Sequence, residues 1–264
     1  MSTSLLRART GDVELAYEVL GDGPPLLLVQ GLGYGRRGWG PALELLGEDF
    51  FVVAYDNRGF GESDVPPGPY TARQLAGDAV AILDAVGVER THVVGASLGG
   101  MIAQEVALDW PDRVDRLVLA CTTPGGPRSH PMPQQTVALM LEAPALPPDV
   151  AMRRFVENAL GSTAPQGLAD EIVAYRTANP PDPAGWQAQA AAGAGHDAID
   201  RLGSLAAPTL VLYGEEDTVV DARNAELLAE RIPEAHVERF ENGGHLFFWE
   251  QPARFANLVR EFLR

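Results

Sequence analysis

The stretch THVVGASLGGMIAQEVAL, Thr91 to Leu108, constrains this chain more than any other. A short apolar, β-branched run enters Gly95-Ala96-Ser97-Leu98-Gly99, and a helix-like sequence leaves it. The G-x-S-x-G pattern acquires chemical meaning at such a strand-to-helix junction. There a sharp turn leaves no room for side chains at the two glycines and lifts the serine hydroxyl clear of the backbone. The following helix aims its N-terminal amides at the same point. A serine in this position can also simply cap the helix. The nucleophile reading therefore requires a fold that delivers the turn and two partners that activate the hydroxyl.

The rest of the chain supplies such a fold. Val13, Leu15, Tyr17 and Val19 alternate with polar residues as in a half-buried edge strand, followed by a hairpin-like opening. PPLLLVQG (24–31) and FFVVAYD (50–56) are continuous apolar runs, the mark of strands covered on both faces, and PALELLGE between them supplies a short helix. Thr71 and Gln74 have capping-box spacing, apolar positions follow at Leu75, Val80, Ile82, Leu83 and Val86, and Gly87 closes a crossover helix. After the serine motif and its helix comes the strand VDRLVLAC (114–121). Strand, helix and strand in this order predict an α/β fold with a mostly parallel sheet and right-handed crossovers. From Thr122 to about Leu202 the strand pattern stops, and helix-like segments are joined by PGGPRSHPMPQQ, APALPPD and NPPDPAGW. Alternation resumes with PTLVLYGEED (208–217), a helix over 221–232, the strand AHVERFEN and a final helix EQPARFANLVREFL. The predicted organisation is a core over 1–122, an inserted helical cap over 123–203, and the second part of the core over 204–264. At 264 residues, one domain with an insertion accommodates all of it.

A serine hydroxyl needs a base, and the base needs an orienting acid. Of the five histidines, His245 in NGGHLFFWEQP lies in a glycine-flanked loop between the last strand and the last helix, where the backbone can swing the imidazole over the strand ends. His92 and His236 belong to strands and read as structural or surface residues. His130 and His196 fall in the insertion and could at most touch substrate. The histidines show no metal-ligand spacing. Asp217 follows the strand PTLVLYG directly and is the candidate acid, with Glu215, Glu216 and Asp221 read as solvated neighbours. The other acid position, after the strand ending at Cys121, offers only Thr122 and Thr123. The chain order Ser97, Asp217, His245 is the one stated for the hydrolase version of the triad.

From GPPLLLVQGLGYG to FENGGHLFFWEQP, nearly its whole length, the sequence resembles the α/β-hydrolase superfamily. It is most similar to the group of enol-lactonases, cofactor-free haloperoxidase-like esterases and C–C bond hydrolases, which share DNRGFGESD (Asp56 to Asp64) and the ending GGHLFFWEQP. The resemblance implies that QGLGYG supplies one oxyanion amide from Leu32, with Leu98 supplying the other. Many relatives carry histidine or asparagine at the place of Gln30, so the bonds bracing that loop are expected to differ. Haloalkane and epoxide chemistry relies in this fold on an aspartate nucleophile, and Ser97 stands in its place. The expected activity is cleavage of an ester or lactone of a small to medium apolar substrate through an acyl-enzyme, with no metal or organic cofactor. C–C bond hydrolysis, perhydrolysis and acyl transfer would use the same three residues, and a non-catalytic ligand-binding protein on this scaffold is the reading from another class.

Charge and composition narrow the partners. The formal charge of −16 repels nucleic-acid phosphate and anionic membrane surfaces, leaving a small-molecule substrate as the expected partner, while the sequence is silent on oligomeric state. Cys121 is the lone cysteine and excludes an internal disulfide. The N-terminal segment lacks a basic region followed by an apolar run, so a cytoplasmic location is expected. Asp56, Arg58 and Ser63 read as residues holding a loop together. Arg36 and Arg37 follow the oxyanion loop directly, and a substrate carboxylate would need some such cation against the acidic background. Trp186, in the insertion, could line a pocket.

Overall fold

The structure is a computed structural model that describes residues 4–264. In chain order its elements are β1 (Leu6–Thr10), β2 (Val13–Leu20), β3 (Pro25–Val29), α1 (Pro41–Gly47), β4 (Phe51–Tyr55), α2 (Ala72–Val86), β5 (Thr91–Ala96), α3 (Leu98–Asp109) and β6 (Val114–Ala120). Then follow α4 (Gln134–Glu142), α5 (Pro148–Asn158), α6 (Leu168–Ala178), α7 (Pro183–Ala194), β7 (Thr209–Gly214), α8 (Arg223–Arg231), β8 (His236–Phe240), α9 (Phe247–Glu250) and α10 (Pro252–Leu263). The strands form one sheet in the order β1-β2-β4-β3-β5-β6-β7-β8. Its pairings are antiparallel at β1/β2 and β2/β4 and parallel from there on.

Side-chain alternation explains why the inner strands read as unbroken apolar runs. In β3, Leu27 and Val29 pack with Leu83, Ile102 and Val106 of α2 and α3 on one face. Leu26 and Leu28 pack on the other face with Leu46 of α1 and Phe247, Phe248 and Phe255 of α9 and α10. Helix α2 starts where its sequence signals it: the Thr71 hydroxyl oxygen accepts the Gln74 N–H at 3.1 Å, and Gly87 ends the helix at φ 78°. One expectation fails. The strand at 13–19 is not at the edge, because Leu6–Thr10 pairs along it and leaves Leu15 to Glu18 buried without alternation. The edges are β1 and the mostly exposed β8.

Between β6 and β7 the chain carries only helices, turns and one bridge, Gly125 to Asp197. The returning segment is anchored on α3. His196 is buried, with Nδ1 3.3 Å from Glu105 Oε1 but out of line for a hydrogen bond, and the Arg201 guanidinium donates to the same oxygen. Burial pushes the Glu105 carboxyl up, yet His196 and Arg201 together hold it down at about 2. A depressed carboxylate stabilises the fold above its ordinary value of 4.5, and that contribution disappears as pH falls toward about 2. Urea midpoints across that window should therefore fall, and Glu105→Gln should flatten the fall at a cost of on the order of 2–3 kcal/mol at neutral pH. Parallel curves for the two proteins would refute this.

Candidate active site

The turn after β5 is as tight as the sequence suggests. Ser97 sits at φ 56° and ψ −121°, a strained conformation for a residue with a side chain. A Cβ on Gly99 would lie 2.0 Å from the Val29 carbonyl oxygen, and one on Gly95 would lie 2.3 Å from the Gly99 oxygen. Backbone bonds fix the turn: Ser97 N–H donates to Ala120 at 2.9 Å, and the Thr122 hydroxyl donates to the Ser97 carbonyl at 2.7 Å. The Ser97 side chain is half-buried rather than sealed.

Asp217 and His245 meet. His245 Nδ1 lies 2.8 Å from Asp217 Oδ2, with both residues buried. Asp217 Oδ1 accepts the N–H groups of Val219 and Val220 at 2.8 and 2.9 Å, which fixes the carboxylate in one orientation. A carboxylate only accepts, so the neutral ring carries its proton on Nδ1 and leaves Nε2 as its lone-pair nitrogen. Among the described residues no hydrogen bond joins the Ser97 hydroxyl to His245; such contacts are often long in the free form of a site and tighten around a bound ligand. The three residues share one rim, because β5, β6, β7 and β8 are parallel neighbours and the loops after β5, β7 and β8, which carry Ser97, Asp217 and His245, emerge at the same end. Cys121 lies between them: it is buried at φ 42°, and burial, with Asp217 adding to it, pushes its thiol well above the ordinary range.

The loop after β3 closes the site from the other side. Gly31 is so close to Ser97 that a Cβ there would sit 2.9 Å from the serine Cβ. Gln30 braces the loop locally, with Oε1 accepting the Gly31 N–H at 2.7 Å and its carbonyl accepting from Asn57 Nδ2 at 3.0 Å. Among the described residues, no protein acceptor takes the N–H of Leu32 or of Leu98. Asp56 accepts the Arg36 N–H at 2.8 Å and the Arg36 guanidinium, while Arg37 pairs with buried Glu18 at 2.8 Å. Both cations are thus engaged by the core. Ser63 donates to the Asp56 carbonyl at 2.6 Å, and Arg58 pairs with Asp78 at 2.5 Å.

The insertion reaches the site at two places. Trp186 is half-buried beside Gly33, where a Cβ would lie 3.4 Å from its ring. Arg176, which the sequence reading passed over, stands 3.5 Å from the same point and lies over the Tyr34 ring, 4.9 Å from its centroid, with its buried Nε unpartnered. A single arginine in an irregular helix carries no signal of direction in the sequence. Glu216, expected as a solvated neighbour, is partly exposed and is also tied to the insertion: its carboxylate accepts the Ser162 N–H at 2.6 Å and the Ser162 hydroxyl at 2.8 Å. His196 packs on α3, and among the described residues no cluster of three or more His, Cys, Asp or Glu could hold a metal ion.

A mostly parallel sheet with a strained serine elbow and an acid-oriented histidine at its rim defines a hydrolase-type scaffold. Residues 24–252 match the family described as alpha/beta hydrolase fold, and the chain belongs to that family. It is 30% identical over 271 residues to a 2-hydroxy-6-oxo-6-phenylhexa-2,4-dienoate hydrolase of Comamonas testosteroni, covering 96% of this chain and 92% of that one. The enol-lactonase of Burkholderia xenovorans is similar in structure, with a TM-score of 0.85 and 25% identity over 98% of this chain and 99% of that chain. A thermophilic esterase of Thermogutta terrifontis gives a TM-score of 0.84 at 28% identity, over 100% and 98%.

The elbow geometry can be tested without any substrate. Gly99→Ala would force backbone apart where 2.0 Å is available, so it should lower stability by about 1–3 kcal/mol in chemical denaturation. A variant as stable as the parent would show that the turn is looser than described.

Proposed function

We propose that the protein is a serine hydrolase that cleaves a carboxylic ester or lactone through an acyl-enzyme. Ser97 attacks the carbonyl, His245 accepts its proton and returns it to the leaving group, and Asp217 fixes the imidazole tautomer and stabilises its cation. The N–H groups of Leu32 and Leu98 hold the oxyanion, and water activated by His245 then releases the acid. The observation that carries this reading is the 2.8 Å Asp217–His245 bond at the rim that also bears the strained Ser97. The two unpaired N–H groups support it further, since unused donors beside a nucleophile are what a developing oxyanion needs. Residues 123–203 act as a cap that shapes the acyl pocket, with Trp186 in its wall.

Arg36 and Arg37 belong to the loop's own ion pairs in this reading, and Arg176 is the cation that meets substrate. Its place beside Gly33 favours an ester or lactone that carries a carboxylate. The same observation favours C–C bond hydrolysis as the second reading, because the Comamonas relative is named for a dienoate.

A serine-directed fluorophosphonate should label Ser97 once and abolish cleavage of a short p-nitrophenyl ester, and Ser97→Ala should neither label nor turn over. Asp217→Asn should keep the fold and lower kcat about 10³–10⁴-fold. An unlabelled, folded and inactive parent would sink the hydrolase reading. For the substrate, Arg176→Gln should raise KM about 10-fold for a carboxylate-bearing ester and leave its neutral methyl-ester analogue nearly unchanged. Equal effects on both would remove Arg176 from the pocket.

A further inference from the structure

Glu250 is a buried carboxylate, and among the described residues no cation pairs with it. It ends the short helix α9, five residues after His245, and its side chain turns back toward the loop that precedes the helix. Oε1 accepts two backbone N–H groups: Gly161 at 2.9 Å, from the turn between α5 and α6, and Gly244 at 3.1 Å, from the residue directly before His245. Oε2 lies 3.3 Å from the same Gly244 nitrogen. A buried carboxylate is costly unless such charge-assisted bonds compensate it, so its retention here needs a reason. Burial pushes the carboxyl up, and Glu216 and Asp217 add to that push against the two N–H donors.

The turn it grips is pressed into the site. A Cβ on Gly161 would lie 1.9 Å from the Asn242 oxygen, and one on Gly244 would lie 2.5 Å from the Gly161 nitrogen, so the two backbones touch with no side chain between them. Leu246 N–H, directly after His245, donates to Ala159 of the same turn at 3.1 Å. The residues on both sides of His245 are thus bonded to one system, the Ala159–Gly161 turn and the Glu250 carboxylate. Ser162, next along the turn, is held by Glu216, the neighbour of Asp217. The histidine and the acid therefore share an anchor in the insertion, and on the histidine side the buried Glu250 carboxylate accepts from it.

We propose that Glu250 is a positioning residue: its carboxylate clamps the α5–α6 turn of the insertion to the loop bearing His245, so that seating of the insertion sets the pose of the imidazole against Asp217. It touches neither substrate nor the reacting atoms. The proposal rests on the serine-hydrolase reading for its kinetic consequence, but its geometric content stands apart from it.

Reach, rather than charge, is what the clamp requires. Glu250→Gln keeps an Oε1 able to accept from both glycines, whereas Glu250→Asp keeps the charge and loses the reach. Kinetics per active site, counted by fluorophosphonate labelling of Ser97, should show kcat within about 10-fold of the parent for Glu250→Gln and a loss of about 10²-fold for Glu250→Asp and Glu250→Ala. A proton spectrum reads the same point without turnover: the low-field resonance of the His245 Nδ1 proton should persist in Glu250→Gln and broaden or vanish in Glu250→Asp. Unchanged kcat per labelled site together with an unchanged resonance in Glu250→Asp would overturn the clamp, as would an intact Asp variant beside a crippled Gln variant. A parent that is unlabelled at Ser97 would instead overturn the hydrolase reading, and the resonance would still decide the clamp.

Discussion

The site depends on one steric constraint: β5 must end in a turn that packs backbone directly on backbone. Gly99 fits under the Val29 carbonyl, Gly95 under Gly99 and Gly31 against Ser97, so β3, β5 and α3 approach more closely than any side chain would permit. That approach holds Ser97 in a strained conformation, which persists because neighbouring bonds to Ala120 and Thr122 over-determine it. The surrounding apolar core makes the strain affordable, with both faces of the inner strands buried and large side chains such as Trp39, Phe247 and Phe255 sealed on one side.

An acidic chain builds its interior on a different pattern from its surface. The excess carboxylates give the formal charge of −16, yet those that are buried each have a specific donor. Asp217 takes two backbone N–H groups and an imidazole, Asp56 and Asp78 take guanidinium groups, Glu105 takes Arg201, and Glu250 takes two glycine N–H groups. Arginine is used up in this way around the loop after β3, where Arg36 is drawn in by Asp56 and Arg37 by Glu18. Arg176 differs because its contact is an aromatic face rather than a carboxylate. A cation held on a ring keeps most of its electrostatic attraction for an incoming anion, while one in a buried bidentate pair has little left.

Local patterns made most of the core legible. Continuous apolar runs marked β3, β4, β5 and β7, Thr71 and Gly87 marked the ends of α2, and the glycine spacing marked the elbow. The first strand was not visible as such, since LRART alternates weakly and its role is to cover β2, which a pattern confined to residues 13–19 cannot reveal. The contacts of the insertion were illegible for another reason. Glu216 beside Ser162, Gly161 beneath Glu250 and Arg176 above Tyr34 are pairs separated by 54, 89 and more than a hundred residues, and they are set by how helices of irregular spacing dock rather than by any period.

Under the proposed function, this docking places substrate choice and chemistry on the same piece of chain. Helices α6 and α7 bring Arg176 and Trp186 over the loop after β3, and the turn leading into α6 is wedged between the acid loop and the histidine loop. A shift of the insertion large enough to admit a bulkier ligand would move that turn as well. It would then pull on Gly244 and Leu246 at either side of His245. Packed backbones at glycine contacts do not deform gradually, so under the proposed clamp only a well-seated insertion leaves the imidazole correctly aimed. If the proposed clamp holds, specificity comes from the pocket walls and equally from whether a bound molecule leaves the turn in place.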